Sequence, residues 1–141
     1  MSVTAARAYF RARGAAINLK EWKDGFNFEN IPTSIINKSF HITQGVATGV
    51  KLNQNDQEMI FPVTVEIFTK GYKDVASAID SSIELSEDLI IECLTPTTRL
   101  TQSTGIKNII FESVSYEPLS NSNDNSVIAK VTFRVLTILG F

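Results

Sequence analysis

FPVTVEIFTKGYKDVASAID, residues 61–80, changes its hydrophobic period in mid-course. Phe61, Val63, Val65 and Ile67 alternate with Pro62, Thr64, Glu66 and Phe68, the period of two that marks a half-buried strand. Pro62 places an edge position or a bulge in that strand, because proline cannot donate to a ladder. Beyond Lys70–Asp74 the period lengthens to that of a helix, expected from about Lys73 to Leu94. Asp74 or a near neighbour caps it and Thr95-Pro96 halts it. Val75, Ile79, Ile83, Ile90 and Cys93 or Leu94 form its expected buried stripe.

The same reasoning extends in both directions. Val3, Ala6, Phe10 and Ile17 recur at helical spacing, so residues 3–13 read as a helix with Gly14 as its stop. EWKDGFNFENIPTS reads as an ordered loop pinned by Trp22, Phe26 and Phe28. SIINKSFHITQG reads as a strand ending at Gly45, with Phe40 and Ile42 on one face and His41 and Thr43 on the other. Residues 45–58, GVATGVKLNQNDQE, are rich in glycine and polar side chains and read as a long hairpin arm or a mobile loop. Residues 106–118 and 126–139 are two further strands joined by a turn-rich linker. On the last strand Val127, Ala129, Val131, Phe133 and Val135 share one face, opposite Lys130, Thr132 and Arg134. The order helix, strand, strand, helix, strand, strand predicts an α+β fold: an antiparallel sheet of about four strands with two helices on one face, in a single domain over residues 1–141.

Composition narrows the function classes. The chain has 141 residues, of which 43% are hydrophobic and 20% charged, enough apolar content for a packed core without disulfides. Its net charge of −2 gives no overall drive toward nucleic acid or an anionic membrane. The apolar runs are too short to span a bilayer, and the arginine-studded N-terminus is unlike a signal peptide. Cys93, the single cysteine, falls on a buried helix stripe and reads as a small hydrophobe rather than a nucleophile. His41, the single histidine, has no carboxylate at a telling spacing. Asp80, Glu84, Glu87, Asp88 and Glu92 read as the solvated face of the second helix and not as a cation site. No phosphate-cradling glycine pattern follows Gly45 or Gly49. The chain is therefore expected to be no enzyme, with no cofactor and no metal. One feature remains: Phe68, Ile128, Leu136 and Ile138 share the outer sheet face with Glu66, Lys130 and Arg134, so that face is expected to meet another subunit.

DGFNFENIP (24–32), NQNDQEM (53–59), PVTVEIFTKGYKDVASAID (62–80) and LSNSNDN (119–125) together resemble the tail terminator proteins of tailed bacteriophages. The resemblance spans nearly the whole chain and rests on the order and spacing of elements. It implies an α+β subunit that forms a homohexameric ring, caps the tail tube, ends its polymerisation and joins the tail to the head. The implied partners are further copies of itself, the tail tube protein and the head connector or neck proteins, with DNA passing through the lumen without specific binding and no membrane involved. The implied location is the head-proximal end of the tail in the virion, reached through the host cytoplasm. On this reading Gly45, Gly49, Lys51, Asn53, Gln54, Asn55 and Asp56 of the arm, with Phe68, Lys130 and Arg134 of the sheet, are candidate subunit or tube contacts. Two alternatives stand beside it. One is another neck component, a head completion or tail-to-head joining protein. The other is a small nucleic-acid-binding module using Arg7, Arg11 and Arg13 with Trp22, Phe26 and Phe28, against which the acidic balance weighs.

Overall fold

In the computed structural model the described residues are 2–22, 37–46, 48–51, 57–70, 75–95, 106–118 and 126–139. In chain order they form α1 (Ser2–Ala16), β1 (Lys20–Glu21), β2 (Ser39–Gln44), β3 (Thr48–Lys51), β4 (Gln57–Thr69), α2 (Val75–Leu94), β5 (Ile106–Pro118) and β6 (Val127–Leu139). The strands make one sheet in the order β1-β2-β4-β6-β5, with β3 also paired to β4. The fold is α+β. The four long strands read from the alternation are present and mutually antiparallel. Two short strands add to them, and β1 runs parallel to β2, so the sheet is mixed.

At its centre β4 and β6 pair without interruption from Gln57↔Leu139 to Thr69↔Val127. Phe61, Val63, Val65 and Ile67 of β4 and Ala129, Val131, Phe133 and Val135 of β6 are all fully buried on one face, as their period requires. Both helices pack on that face. Phe10 of α1 lies 5.2 Å from the Phe133 ring, centroid to centroid, and Leu85, Leu89 and Cys93 of α2 join the same cluster. Tyr9 locks the helices together by donating its hydroxyl to the Cys93 carbonyl at 2.7 Å.

The helix ends and faces differ from expectation in instructive ways. Gly14 is not a stop: α1 continues to Ala16 and closes around Asn18, whose φ of 65° is left-handed. Leu19 N–H donates to the Gly14 carbonyl at 3.0 Å and Asn18 N–H to that of Ala15 at 3.1 Å, the paired bonds of a Schellman motif. Gly14 serves close packing instead, since a Cβ there would meet the Phe40 ring at 2.8 Å. On α2 the buried stripe is Ala78, Ser82, Leu85, Ser86, Leu89 and Cys93, while Ile79, Ile83 and Ile90 are only half-buried on its flanks. Small serines bring the helix close to the sheet, and the Ser86 hydroxyl is satisfied by the Ile83 carbonyl and the Tyr116 hydroxyl, at 2.9 and 2.7 Å. The expected cap Asp74 and the aromatic loop residues Phe26 and Phe28 lie outside the described residues.

The Gly14 contact yields a test. Alanine ordinarily stabilises a helix by about 1 kcal/mol over glycine, yet here its methyl must displace a packed aromatic ring, an overpacking cost of about 1–3 kcal/mol. Gly14→Ala is expected to lower the urea midpoint rather than raise it, and Gly14→Leu to lower it further. A stabilised Gly14→Ala protein would show that the Phe40 ring yields freely.

Candidate assembly surface

The sheet face opposite the helices is built of side chains in register. Across β2, β4 and β6 the pairs His41↔Glu66 and Glu66↔Lys130 form one row, and Thr43↔Thr64 and Thr64↔Thr132 the next. Thr64 and Thr132 hydroxyls bond each other at 3.1 Å. Lys130 meets Glu117 of β5 at 3.4 Å, and Arg134 is paired with Glu112. His41 donates from Nδ1 to the Trp22 carbonyl at 2.8 Å, which ties this row to the chain leaving β1. The row is sparingly hydrated. Burial raises the Glu66 carboxyl above its usual range, opposed by the charges of Lys130 and His41 and reinforced by Glu117.

At the lower end of this face lies an open groove of about 350 Å³, lined by Val46, Ile60, Pro62, Glu112 and Arg134. Its shape follows from Pro62. Gly45 N–H donates to the Pro62 carbonyl at 2.9 Å. In an antiparallel strand a residue's N–H and C=O point to the same neighbour, so the donor that proline lacks is missing on the β2 side. The ladder along this edge of β4 therefore breaks. It stops at Gln44↔Val63 and resumes at Thr48↔Ile60, three residues facing two. A Cβ on Gly45 would stand 2.4 Å from Pro62 Cγ, so the break admits only glycine at this contact. Val46, in the break, is 85% exposed. Pro62 is thus a bulge site on a central strand and not an edge residue.

Of the sequence-derived contact residues, the structure brings some together and separates others. Gly45 sits at the break, and Gly49 and Lys51 belong to β3, the outer strand of the hairpin arm; Asn53, Gln54, Asn55 and Asp56 fall outside the described residues. Arg134 lines the groove, and Lys130 lies four residues back on the same face. Phe68 does not belong to this set. It is 1% exposed and Ile128 opposite it is 0%, so this outer-face pair is already covered within the subunit and presents nothing to a partner. The sequence reading missed Val46, Ile60 and Pro62 as a group; the signal was Gly45 and Pro62 set against each other, visible only once the register is known.

The remaining candidates for chemistry are structural. Arg11 pairs with Glu21 at 2.8 Å, and Arg13 with Glu92 of α2 at 2.7 Å while lying over the Tyr9 ring. Cys93 is buried, and that burial pushes its thiol well above the ordinary range, away from the thiolate a nucleophile needs. Among the described residues no group of three or more His, Cys, Asp or Glu side chains could hold a metal ion, and no helix is long and apolar enough to cross a membrane. No protein-family model matches this chain, and no curated protein matches it either.

Glu66 gives a pH test. Its folded-state pKa lies above the unfolded value of 4.5, so the stability it contributes is full below that value and is lost as pH rises through the folded value. Glu66→Gln removes the buried charge. The variant is expected to exceed the parent in urea midpoint near neutrality, with the gap closing as the pH falls through the raised folded value toward 4.5. A constant gap across that range would mean that attraction by Lys130 cancels the cost of burial, and a weaker variant at neutral pH that it outweighs that cost.

Proposed function

We propose that this chain is the subunit of a ring that caps a bacteriophage tail tube, ends its polymerisation and forms the surface that joins tail to head. The observation that carries the reading is the hairpin arm. β3 and the first residues of β4 extend beyond the ladder that β2 makes with β4, set off from it by the Gly45–Pro62 break. An outer strand held to β4 alone, beside an open groove with exposed Val46, is the kind of element that reaches a neighbouring subunit or the last ring of a tube. The resemblance in element order to tail terminators supports the same role. So does the acidic balance of the chain, since a channel for DNA must not bind phosphates tightly. The ring would be a hexamer at the head-proximal end of the tail.

Two measurements test this. Native mass spectrometry of the chain, alone and with tail tube, is expected to show a hexamer in at least one condition; a monomer or a stable dimer in both overturns the reading. The register gives a clean arm deletion: because Thr48 pairs with Ile60, replacing residues 49–59 by Asn-Gly closes a two-residue hairpin. The shortened protein is expected to fold, as Phe61–Thr69 keep their pairing with β6, yet to leave tubes of uncontrolled length. Tubes of normal length would remove the arm from the assembly role.

A further inference from the structure

Charge is unevenly spread over the helical layer. The solvent side of α2 exposes a stripe of Asp80, Glu84, Glu87 and Asp88 that leads to Ile91, itself 66% exposed, and α2 contains no lysine or arginine. A large aliphatic side chain held in water at the end of an acidic stripe has no role in the subunit's own core.

The far flank of α1 has the opposite sign. Tyr9 and Arg13 turn toward α2, where they meet Cys93 and Glu92. Arg11 turns the other way, to Glu21 on β1. Arg7, one turn earlier, shares that β1 flank and is exposed. Lys20 and Lys38 are exposed beside it, where the Lys20 N–H meets the Lys38 carbonyl at the start of the sheet. Next to this flank, on the side of α1 away from the sheet, Ala8 and Ala15 are exposed, a low surface over which a bulky side chain can approach the helix backbone.

We infer that the solvent side of α2 in one copy docks on the β1 flank of α1 in the next copy, with Ile91 seated on the exposed alanines of α1 and the α2 carboxylates turned toward Arg7, Lys20 and Lys38. The inference rests on the ring reading for its occupant, a second copy of this chain, and names the surfaces that meet. The patches differ in sign and lie on different helices. One contact therefore uses one patch of each copy and leaves the other patch open, the heterologous arrangement from which rings close. Burying the apolar Ile91 supplies attraction, and the flanking charges steer and set the register. Because the charges are exposed, added salt must weaken the contact.

Charge reversal on each patch tests the pairing. One variant carries Glu84→Lys with Glu87→Lys, the other Arg7→Glu with Lys20→Glu; circular dichroism and melting establish that each folds. Each variant alone is expected to need at least about a hundredfold higher concentration to assemble than the parent, since the attraction at every contact is cancelled in the first and reversed in the second. An equimolar mixture is expected to recover assembly, with the two variants alternating in native mass spectra. Ile91→Ser, a single exposed change, is expected to weaken assembly in the same assay, and sodium chloride to dissociate the parent ring. A parent that assembles while either reversal variant assembles equally well, or while the mixture stays apart, overturns this pairing and leaves the ring reading standing. A parent that stays monomeric with and without tail tube overturns the ring reading, and the pairing falls with it. If a reversal variant does not fold, indifference of assembly to both Ile91→Ser and salt overturns the pairing by itself.

Discussion

Everything else in this subunit depends on the pairing of β4 with β6. Two 13-residue strands run antiparallel in full register, and every position that faces the helices along their middle is a fully buried β-branched, aromatic or small residue. A slip of one residue would turn Phe61, Val63, Val65 and Ile67 outward and bring Thr64 and Glu66 into the core. That penalty makes the register effectively unique. The helices then have a fixed template, and the outer face inherits ordered rows of threonine and charge from the same ladder.

The helical layer meets this template through small residues. Gly14 lets α1 lie against Phe40, and Ser82 and Ser86 let α2 lie close over β5 and β6, with Tyr116 taking up one of the two hydroxyls. Between the helices, Tyr9 and Arg13 reach the C-terminal end of α2 through its Cys93 carbonyl and Glu92 side chain. A cation beside a helix C-terminus is also favoured by the helix dipole. Packing and pairing thus engage Arg11, Arg13, Cys93 and His41 within the fold.

The long strands and both helices were legible in the sequence because a period of two or of 3.6 is written directly into side-chain polarity. The details that escaped depend on partners distant in the chain. Ser82 and Ser86 look solvent-facing by polarity alone, and only the closeness of the sheet explains their burial. Gly14 has the local appearance of a helix stop, while its true constraint is Phe40, twenty-six positions on. β1 is two residues long and carries no period at all. Phe68 and Ile128 were legible as apolar residues on the wrong face, but polarity cannot tell a face waiting for a partner from one already covered. Of the candidate surface, Gly45, Lys130 and Arg134 could be read from the chain; the groove that joins Arg134 to Val46, Ile60 and Pro62 required the register.

The break between Gly45 and Pro62 also separates two sets of selective demands. On one side, β2 and the body of β4 are bound to the core, where a single methylene matters. On the other, β3 pairs only with the first residues of β4, of which Met59 alone is among the residues packed against the core. Proline removes a hydrogen bond that would have transmitted strain along the edge, and the glycine opposite it accommodates the ring. The arm can therefore diverge in length and sequence while the scaffold stays constant. A protein family built this way could change what its arm recognises by exchanging a short cassette at one fixed seam.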